Sequence, residues 1–383
     1  MRCYLQSIVE GSVIILKQKQ KYYNIENLLT KKAEYNILLG ERSNGKSYAV
    51  KYMALWEAYH KQEYLTHEEK TRYMFGYVRR WREEIKGRDV AQYFDDMPIS
   101  EITNGEYDSV ICYRSDIYFA LHDDEGNETR GEKIGATFAL TGVTHYKSLS
   151  FTKIGNVIFE EFITNTGYLP HEVDNLQSLI STIARRERVA VYMIGNTISR
   201  LCPYFDEWQL VHVKKQTQGT IDIYKQSTNQ IDDNGKPIVI SIAVEYCENS
   251  GNNSKMFFGH NAKMTTSGVW ESDIFPHLEK PFNHYKCLYK IFYEYTSFKF
   301  IINLLVDDNK NHFLYVYPAK EKGKIKRAVS DKYTPDRYTT LYLTKVAKYD
   351  TLIIELLSQQ KIVYSDNLTG TEFTQIRKER GCY

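Results

Sequence analysis

Residues 40–47 read Gly-Glu-Arg-Ser-Asn-Gly-Lys-Ser, a G-x-x-x-x-G-K-S loop whose residue types and spacing fit phosphate chemistry. Two glycines let consecutive backbone N–H groups curl around a triphosphate. Lys46 can reach the terminal phosphates, and the Ser47 hydroxyl can ligate Mg²⁺. The nucleotide-binding set expected here is Gly40, Glu41, Arg42, Ser43, Asn44, Gly45, Lys46, Ser47 and Tyr48, with Tyr48 opening the following helix. ATP and Mg²⁺ are the cofactors this pattern implies.

A second group lies a little over a hundred residues downstream. The apolar run Val157-Ile158-Phe159 ends on two carboxylates, Glu160 and Glu161. In a phosphate-hydrolysing site the first acid serves the metal and the second polarises the attacking water. Glu160 is therefore assigned to the metal with Ser47, and Glu161 to catalysis as the base. The first acid of such a pair is usually aspartate, so Glu160 departs from the pattern and its longer side chain must fold back or hold the metal through water. Asn196 ends a third apolar run, where a γ-phosphate sensor would stand; a strand-terminal turn asparagine has the same appearance.

These residues need a strand, a loop and a helix around them. Tyr35 to Leu39 reads as the strand before the loop, and Val50, Met53, Ala54 and Leu55 fall at helical spacing after it. Before them, Val13 to Leu16 suggests a strand and Ile25 to Lys32 a short helix. Tyr22 and Tyr23 are either a cover for an adenine ring or core-edge aromatics. Tyr73 to Val78 is expected as a core strand closing on Arg79-Arg80-Trp81-Arg82. Strands at 109–113, 117–121 and 134–140, with a turn at Asp123 to Asn127, read as a hairpin-rich insertion. Glu172 to Glu187 is an amphipathic helix running into Arg185, Arg186 and Arg188, followed by the strand Val189 to Ile194. Further strands are expected at 208–213, 220–224 and 237–246, the last two joined by a turn at Asp232 to Gly235.

A polar stretch from Glu248 to Ser254 marks a boundary. Domains are placed at 1–247, 248–281 (a linker or lid module) and 282–383. In the last, strands at 285–295, 298–306 and 312–317 and helices within 341–357 suggest an α+β domain. Its basic run, Lys320, Lys322, Lys324, Lys326 and Arg327, is either a phosphate contact or a solvated hairpin tip.

The chain has 383 residues and a net charge of +2, which excludes a global basic field; nucleic-acid contacts would come from local patches. Its 32 tyrosines and 17 phenylalanines suit strand-rich cores. The six cysteines form no C-x-x-C pair, so neither a zinc motif nor a disulfide framework is read, and free thiols in a reducing compartment are expected. No apolar stretch is long enough to suggest a membrane span, and a soluble intracellular protein is expected.

The series GERSNGKS, YKSLSFTKIGNVIFEE, STIARRERVAVYMIGNTIS and CPYFDEW, in this order, resembles the DNA-packaging (encapsidation) ATPases of small short-tailed phages, relatives of terminase large subunits. The resemblance covers about residues 35 to 245. It implies an α/β P-loop NTPase domain of the additional-strand, catalytic-glutamate type, then a small lid module, then an RNase H-like domain. It also implies a homo-oligomeric ring, commonly a pentamer, docked on the portal or connector of a procapsid, moving double-stranded DNA inward. Packaging RNA is a further possible partner. Such a motor works in the host cytoplasm and docks transiently, without entering the mature virion. By matching motif, Arg42 would lie near the γ-phosphate, and one of Arg185, Arg186 or Arg188 would be a finger acting on a neighbouring subunit; a solvated helix end is the other reading. Lys86 and Arg88 are expected as DNA contacts in the loop after the second core strand. In the C-terminal domain Phe298 to Val306 is read as the first strand, with Asp307 and Asp308 beyond its end, so a vestigial nuclease is expected. The competing functions are a terminase large subunit with active nuclease and a solitary P-loop NTPase unrelated to DNA.

Overall fold

The computed structural model describes residues 23–164, 167–185, 187–231, 235–248, 273–320, 324–328, 337–341 and 348–379. The expected strand at 13–16, Tyr22, Arg186, most of the linker module, Lys322 and part of the Asp232 turn lie outside these residues. Two compact units are present. One holds the described residues through Thr197 and from Pro203 to 248; the other holds Ile198–Cys202 and the described residues from 273 onward.

In the N-terminal unit, α1 (Glu26–Leu29) leads into β1 (Tyr35–Gly40) and the long α2 (Lys46–His60). Then come β2 (Met74–Arg79), α3 (Gly87–Phe94), α4 (Ile99–Ile102), β3 (Ser109–Tyr113), β4 (Asp116–His122) and β5 (Glu128–Ala139). The unit continues with α5 (Val143–Tyr146), β6 (Ile154–Glu160), α6 (Glu172–Ala184), β7 (Ala190–Asn196), α7 (Pro203–Glu207), β8 (Thr220–Ile231) and β9 (Pro237–Tyr246). The sheet order is β3-β4-β5-β2-β6-β7-β1-β9-β8. From β5 to β9 every neighbouring pair is parallel, while β3, β4 and β8 pair antiparallel at the two edges.

That arrangement explains the sequence. Parallel strands covered on both faces read as unbroken apolar runs rather than alternating ones. Ile37, Leu38, Leu39, Val157, Ile158 and Phe159 are all fully buried. All six parallel strands end at the same edge, so Gly40, Arg79, Glu160 and Asn196 come to one side although they are scattered along the chain. Parallel sheets bind ligands at that carboxyl-terminal edge.

The expected strand at 208–213 is absent. Trp208 follows α7, and Val213–Lys215 is a single turn of 3-10 helix. Trp208 and Leu210 are apolar at strand spacing, but they are buried beneath a turn: Leu210 N–H bonds Phe205 O, and Trp208 packs edge-on against Tyr35 and Tyr204.

The C-terminal unit is a six-stranded sheet of β10 (Lys286–Tyr295), β11 (Phe298–Val306), β12 (His312–Pro318), β13 (Lys326–Ala328), β14 (Thr339–Thr340) and β15 (Ile362–Tyr364), with α8 (Lys348–Ser358) and α9 (Asn367–Glu379). Its order is β14-β13-β10-β11-β12-β15. The first strand of this sheet is β10, not Phe298–Val306. β10 pairs antiparallel with β11 and parallel with β13. The basic run ends inside β13, so its last two residues are sheet rather than hairpin tip. β15 and α9 were not read in the sequence. Ile362, Phe373 and Ile376 nonetheless complete this core.

Candidate nucleotide and metal site

The loop after β1 takes the shape its glycines permit. Gly45, the N-cap of α2, has φ +95°, a left-handed conformation that costs an L side chain. A Cβ on Gly40 would lie 3.2 Å from Asn44 Nδ2 and 3.4 Å from Cys247 Cβ, so it would press on the Asn44 side chain in the loop. Gly45 has no side chain to cap α2; Asn44 Oδ1 accepts the Lys46 N–H at 3.2 Å, and the helix dipole faces the loop.

Lys46 is buried and turned back into the loop. Its Nζ donates to Glu41 O (2.5 Å) and Asn44 Oδ1 (3.1 Å). Burial pulls its ammonium below the ordinary lysine range, while Glu160 and Glu41 oppose the shift. Asn44 Nδ2 is buried without a hydrogen-bond partner among the described residues. An inward lysine and an orphan donor, framed by backbone N–H groups, fit a polyphosphate. Of the remaining expected set, Ser43 takes φ +61° at the bend, and Arg42 is exposed. The Tyr48 ring stacks on Tyr52 and packs against the core.

Asn196 ends β7 directly beside Gly40, and Thr197 N–H donates to Gly40 O at 3.2 Å. β6 is the next strand beyond β7, so β7 stands between the loop strand and the acid strand. The side chains bridge that gap. Glu160, buried, accepts a hydrogen bond from the Tyr93 hydroxyl (2.6 Å), and the Ser47 hydroxyl is near enough to favour its charged form. Desolvation raises its carboxyl above the usual range, and Tyr93, Ser47 and the nearby Arg79 and Lys51 cations counteract it. A hydroxyl and a carboxylate placed this way fit Mg²⁺, which takes few protein ligands and fills the rest of its shell with phosphate and water oxygens.

Glu161 lies just past the strand with φ +54° and an exposed side chain. That conformation costs a non-glycine residue roughly 1–2 kcal/mol, and two arginines at the end of β2 hold it. Arg79 Nη2 is 2.7 Å from Glu161 Oε2 and 2.5 Å from Glu84 Oε1. Arg80 donates to Glu161 O (3.2 Å) and Phe162 O (2.9 Å), and grips buried Glu172 through Nε (2.7 Å) and Nη2 (2.9 Å). Tyr204 and the Leu169 N–H also bond Glu172. Arg80 thus ties the backbone of the candidate base to the start of α6. A cavity of about 360 Å³, lined by Tyr77, Arg79, Glu84, Asp89, Gln92 and Tyr93, opens beside this cluster. Neither arginine nor Tyr93 was singled out from the sequence. The Arg79-Arg80-Trp81-Arg82 run at a strand end carried a signal, whereas Tyr93 sits in a helix outside any motif.

Other expected residues stand elsewhere. Arg185 caps α6 and donates to Leu149 O (2.9 Å); Arg188 bonds Lys32 O and lies 3.6 Å from Glu34. Both are at the amino-terminal edge of the sheet, about 20 Å of strand away from the loop in the same chain. Lys86 is the N-cap of α3 and Arg88 lies in its first turn, both exposed and on the loop's side of the sheet. In the C-terminal unit Lys320 and Lys324 are exposed, and Lys326 lies over the Tyr338 ring at 5.3 Å. Arg327 corrects the expected nucleic-acid set. It is buried and paired to fully buried Asp350 at 2.5 Å, because β13 carries its side chain into the unit instead of outward.

The family model of the podovirus DNA encapsidation protein (Gp16) matches residues 17–322. The chain is 29% identical over 197 residues to the DNA packaging protein of Bacillus phage phi29, covering 50% of this chain and 52% of that one. To the DNA packaging protein of Bacillus phage B103 it is 31% identical over 180 residues, covering 46% and 48%. The aligned stretch thus spans about half the length of these relatives. A chain of the bacteriophage phi29 viral genome packaging motor assembly superposes with a TM-score of 0.52 at 21% identity, covering 94% of this chain and 99% of that one. The mixed α/β fold is similar to that of the packaging-motor chain. With most of its length matched by the family model, this chain belongs to the podovirus DNA encapsidation protein (Gp16) family.

Proposed function

We propose that this chain is an ATP-driven motor that moves double-stranded DNA through the portal into a viral procapsid. The observation that carries the reading is the convergence of Lys46, Ser47 with Glu160, Glu161 and Asn196 at one sheet edge, with β7 standing between β1 and β6. A strand inserted at that place, with an acid past the end of β6, supports a P-loop fold of the additional-strand, catalytic-glutamate type. Membership of the encapsidation family supports DNA as the cargo.

ATP would lie in the loop with Lys46 on its terminal phosphates. Mg²⁺, held by Ser47 and Glu160, would neutralise charge on the phosphate oxygens. Glu161, once released by Arg79, orients and deprotonates the attacking water. Asn196, beside Gly40, contacts the γ-phosphate. Arg42 reaches it from the exposed side of the loop. Arg185 or Arg188 lies too far from its own loop to act there, which favours action on a neighbouring subunit in a ring, a pentamer when docked. Packaging RNA, the portal and the host cytoplasm belong to the same reading.

The C-terminal sheet order, three antiparallel strands flanked by parallel β13 and β14, supports an RNase H-like unit. The runner-up, a motor with active nuclease, would use Asp307 or Asp308. Asp307 accepts from Asn311 N–H (2.7 Å) and Nδ2 (2.9 Å) within a turn, and Asp308 pairs with Lys280 at 3.1 Å. Both carboxylates serve local structure, which supports a vestigial nuclease. The test is ATP-dependent protection of added DNA from nuclease in the presence of matching procapsids. Protection that needs this chain and ATP is expected; plasmid cleavage lost on Asp307→Asn would favour the runner-up instead.

A further inference from the structure

We infer that Tyr93 is a positioning residue that sets Glu160 for Mg²⁺, compensating for a glutamate where this kind of site usually has aspartate. The inference rests on the ATP reading above. Its ground is the way Tyr93 is fixed. The hydroxyl donates to Glu160 Oε1 at 2.6 Å, and the ring stacks on buried Tyr77 at 4.6 Å between centroids. Lys51, one turn beyond Ser47 on α2, places its Nζ 4.6 Å from the Tyr93 ring centroid, donates to Tyr93 O at 2.7 Å and pairs with Asp96. Ring, backbone and hydroxyl are therefore each held, two of them by the helix that begins at the phosphate loop.

Glu160 is buried, accepts from the Tyr93 hydroxyl through Oε1, and has Ser47 near enough to favour its charged form. An aspartate, one methylene shorter, would draw its carboxylate back toward β6 and away from the Tyr93 hydroxyl. A glutamate reaches that hydroxyl, but its extra rotatable bond leaves more orientations to choose from. The Tyr93 hydroxyl selects one, with a carboxylate oxygen kept beside Ser47 for the metal. Tyr93 touches neither phosphate nor water in this account; it acts through Glu160.

The test uses the full chain and ATP, with Mg²⁺ titrated, and reads the Mg²⁺ midpoint of the ATP-induced thermal shift. Loss of a hydrogen bond to a carboxylate should raise that midpoint about tenfold or more in Tyr93→Phe. ATP-induced stabilisation in EDTA should stay as in wild type. Glu160→Asp should raise the midpoint as well, and adding Tyr93→Phe to it should change nothing more, because the shorter acid no longer reaches the hydroxyl. Glu160→Asp also carries the test if Tyr93→Phe does not fold: a midpoint equal to wild type would overturn the inference. A wild-type midpoint in folded Tyr93→Phe, or an equal further rise in the Glu160→Asp background, would overturn it too. A wild-type chain indifferent to Mg²⁺-ATP would instead remove the ATP reading and this inference with it.

Discussion

Arg79 holds the candidate base in a position from which it must be released. In Arg79→Met the 2.7 Å contact to Glu161 Oε2 is lost, while an unbranched side chain of similar length is kept. The Glu161 side chain is 62% exposed and that of Arg79 only 16%, so solvent screens much of the attraction. An exposed ion pair is worth roughly 0.2–1 kcal/mol. If release of Glu161 precedes water activation, removing that restraint raises basal turnover by about 1.4- to 5-fold, with little change in KM. Steady-state phosphate release without nucleic acid measures it. The rise must disappear in the Glu161→Gln background, since no base is left to free. A rise that persists there, or an unchanged basal rate in the single variant, would refute the restraint. A fall of tenfold or more would assign Arg79 to the nucleotide instead.

Three other outcomes follow from the geometry. Arg80→Met leaves Glu172, whose side chain is fully buried, without its cation, and should cost about 3–5 kcal/mol in urea unfolding of the chain, in contrast to the mild Arg79 variant. Glu160 is raised by burial above its ordinary 4.5, so its neutral form favours the nucleotide-free fold at low pH and that contribution fades as pH rises through the raised value. Mg²⁺ needs the carboxylate, so Mg²⁺-ATP should release a proton on binding and bind more weakly as pH falls through the window above 4.5. Calorimetry in buffers of different ionisation enthalpy reads this, and Glu160→Gln should abolish it. Neutralising exposed Lys86 and Arg88 together should weaken duplex DNA binding and lower the slope of log K against log salt by about two, leaving basal ATP turnover in place.

The sequence made the parallel sheet legible because its strands are apolar without interruption, and the loop legible because glycine, lysine and serine occur at a fixed spacing. The acid strand followed from Glu160 and Glu161 ending such a run. What could not be read was the set of residues that reach the site from elsewhere in the chain. Tyr93 bonds an acid 67 positions away, and Arg80 a carboxylate 92 positions away; neither separation leaves a periodicity. Arg327 misled because a basic run looks solvated, yet one of its members is drawn inward by Asp350. Trp208 and Leu210 misled for the opposite reason, since burial beneath a turn leaves the same alternation as a strand.

Comparing ATP binding with ATP turnover in wild type, Lys46→Ala and Glu161→Gln tests the central claim most directly, with duplex DNA and procapsids added to each. Wild type should turn over ATP faster with DNA and procapsids present. Lys46→Ala should lose nucleotide binding. Glu161→Gln should keep Mg²⁺-ATP binding and lose turnover by about 10²-fold or more. Turnover retained in Glu161→Gln would contradict the assignment of the base, and a wild-type rate indifferent to DNA and procapsids would contradict the motor.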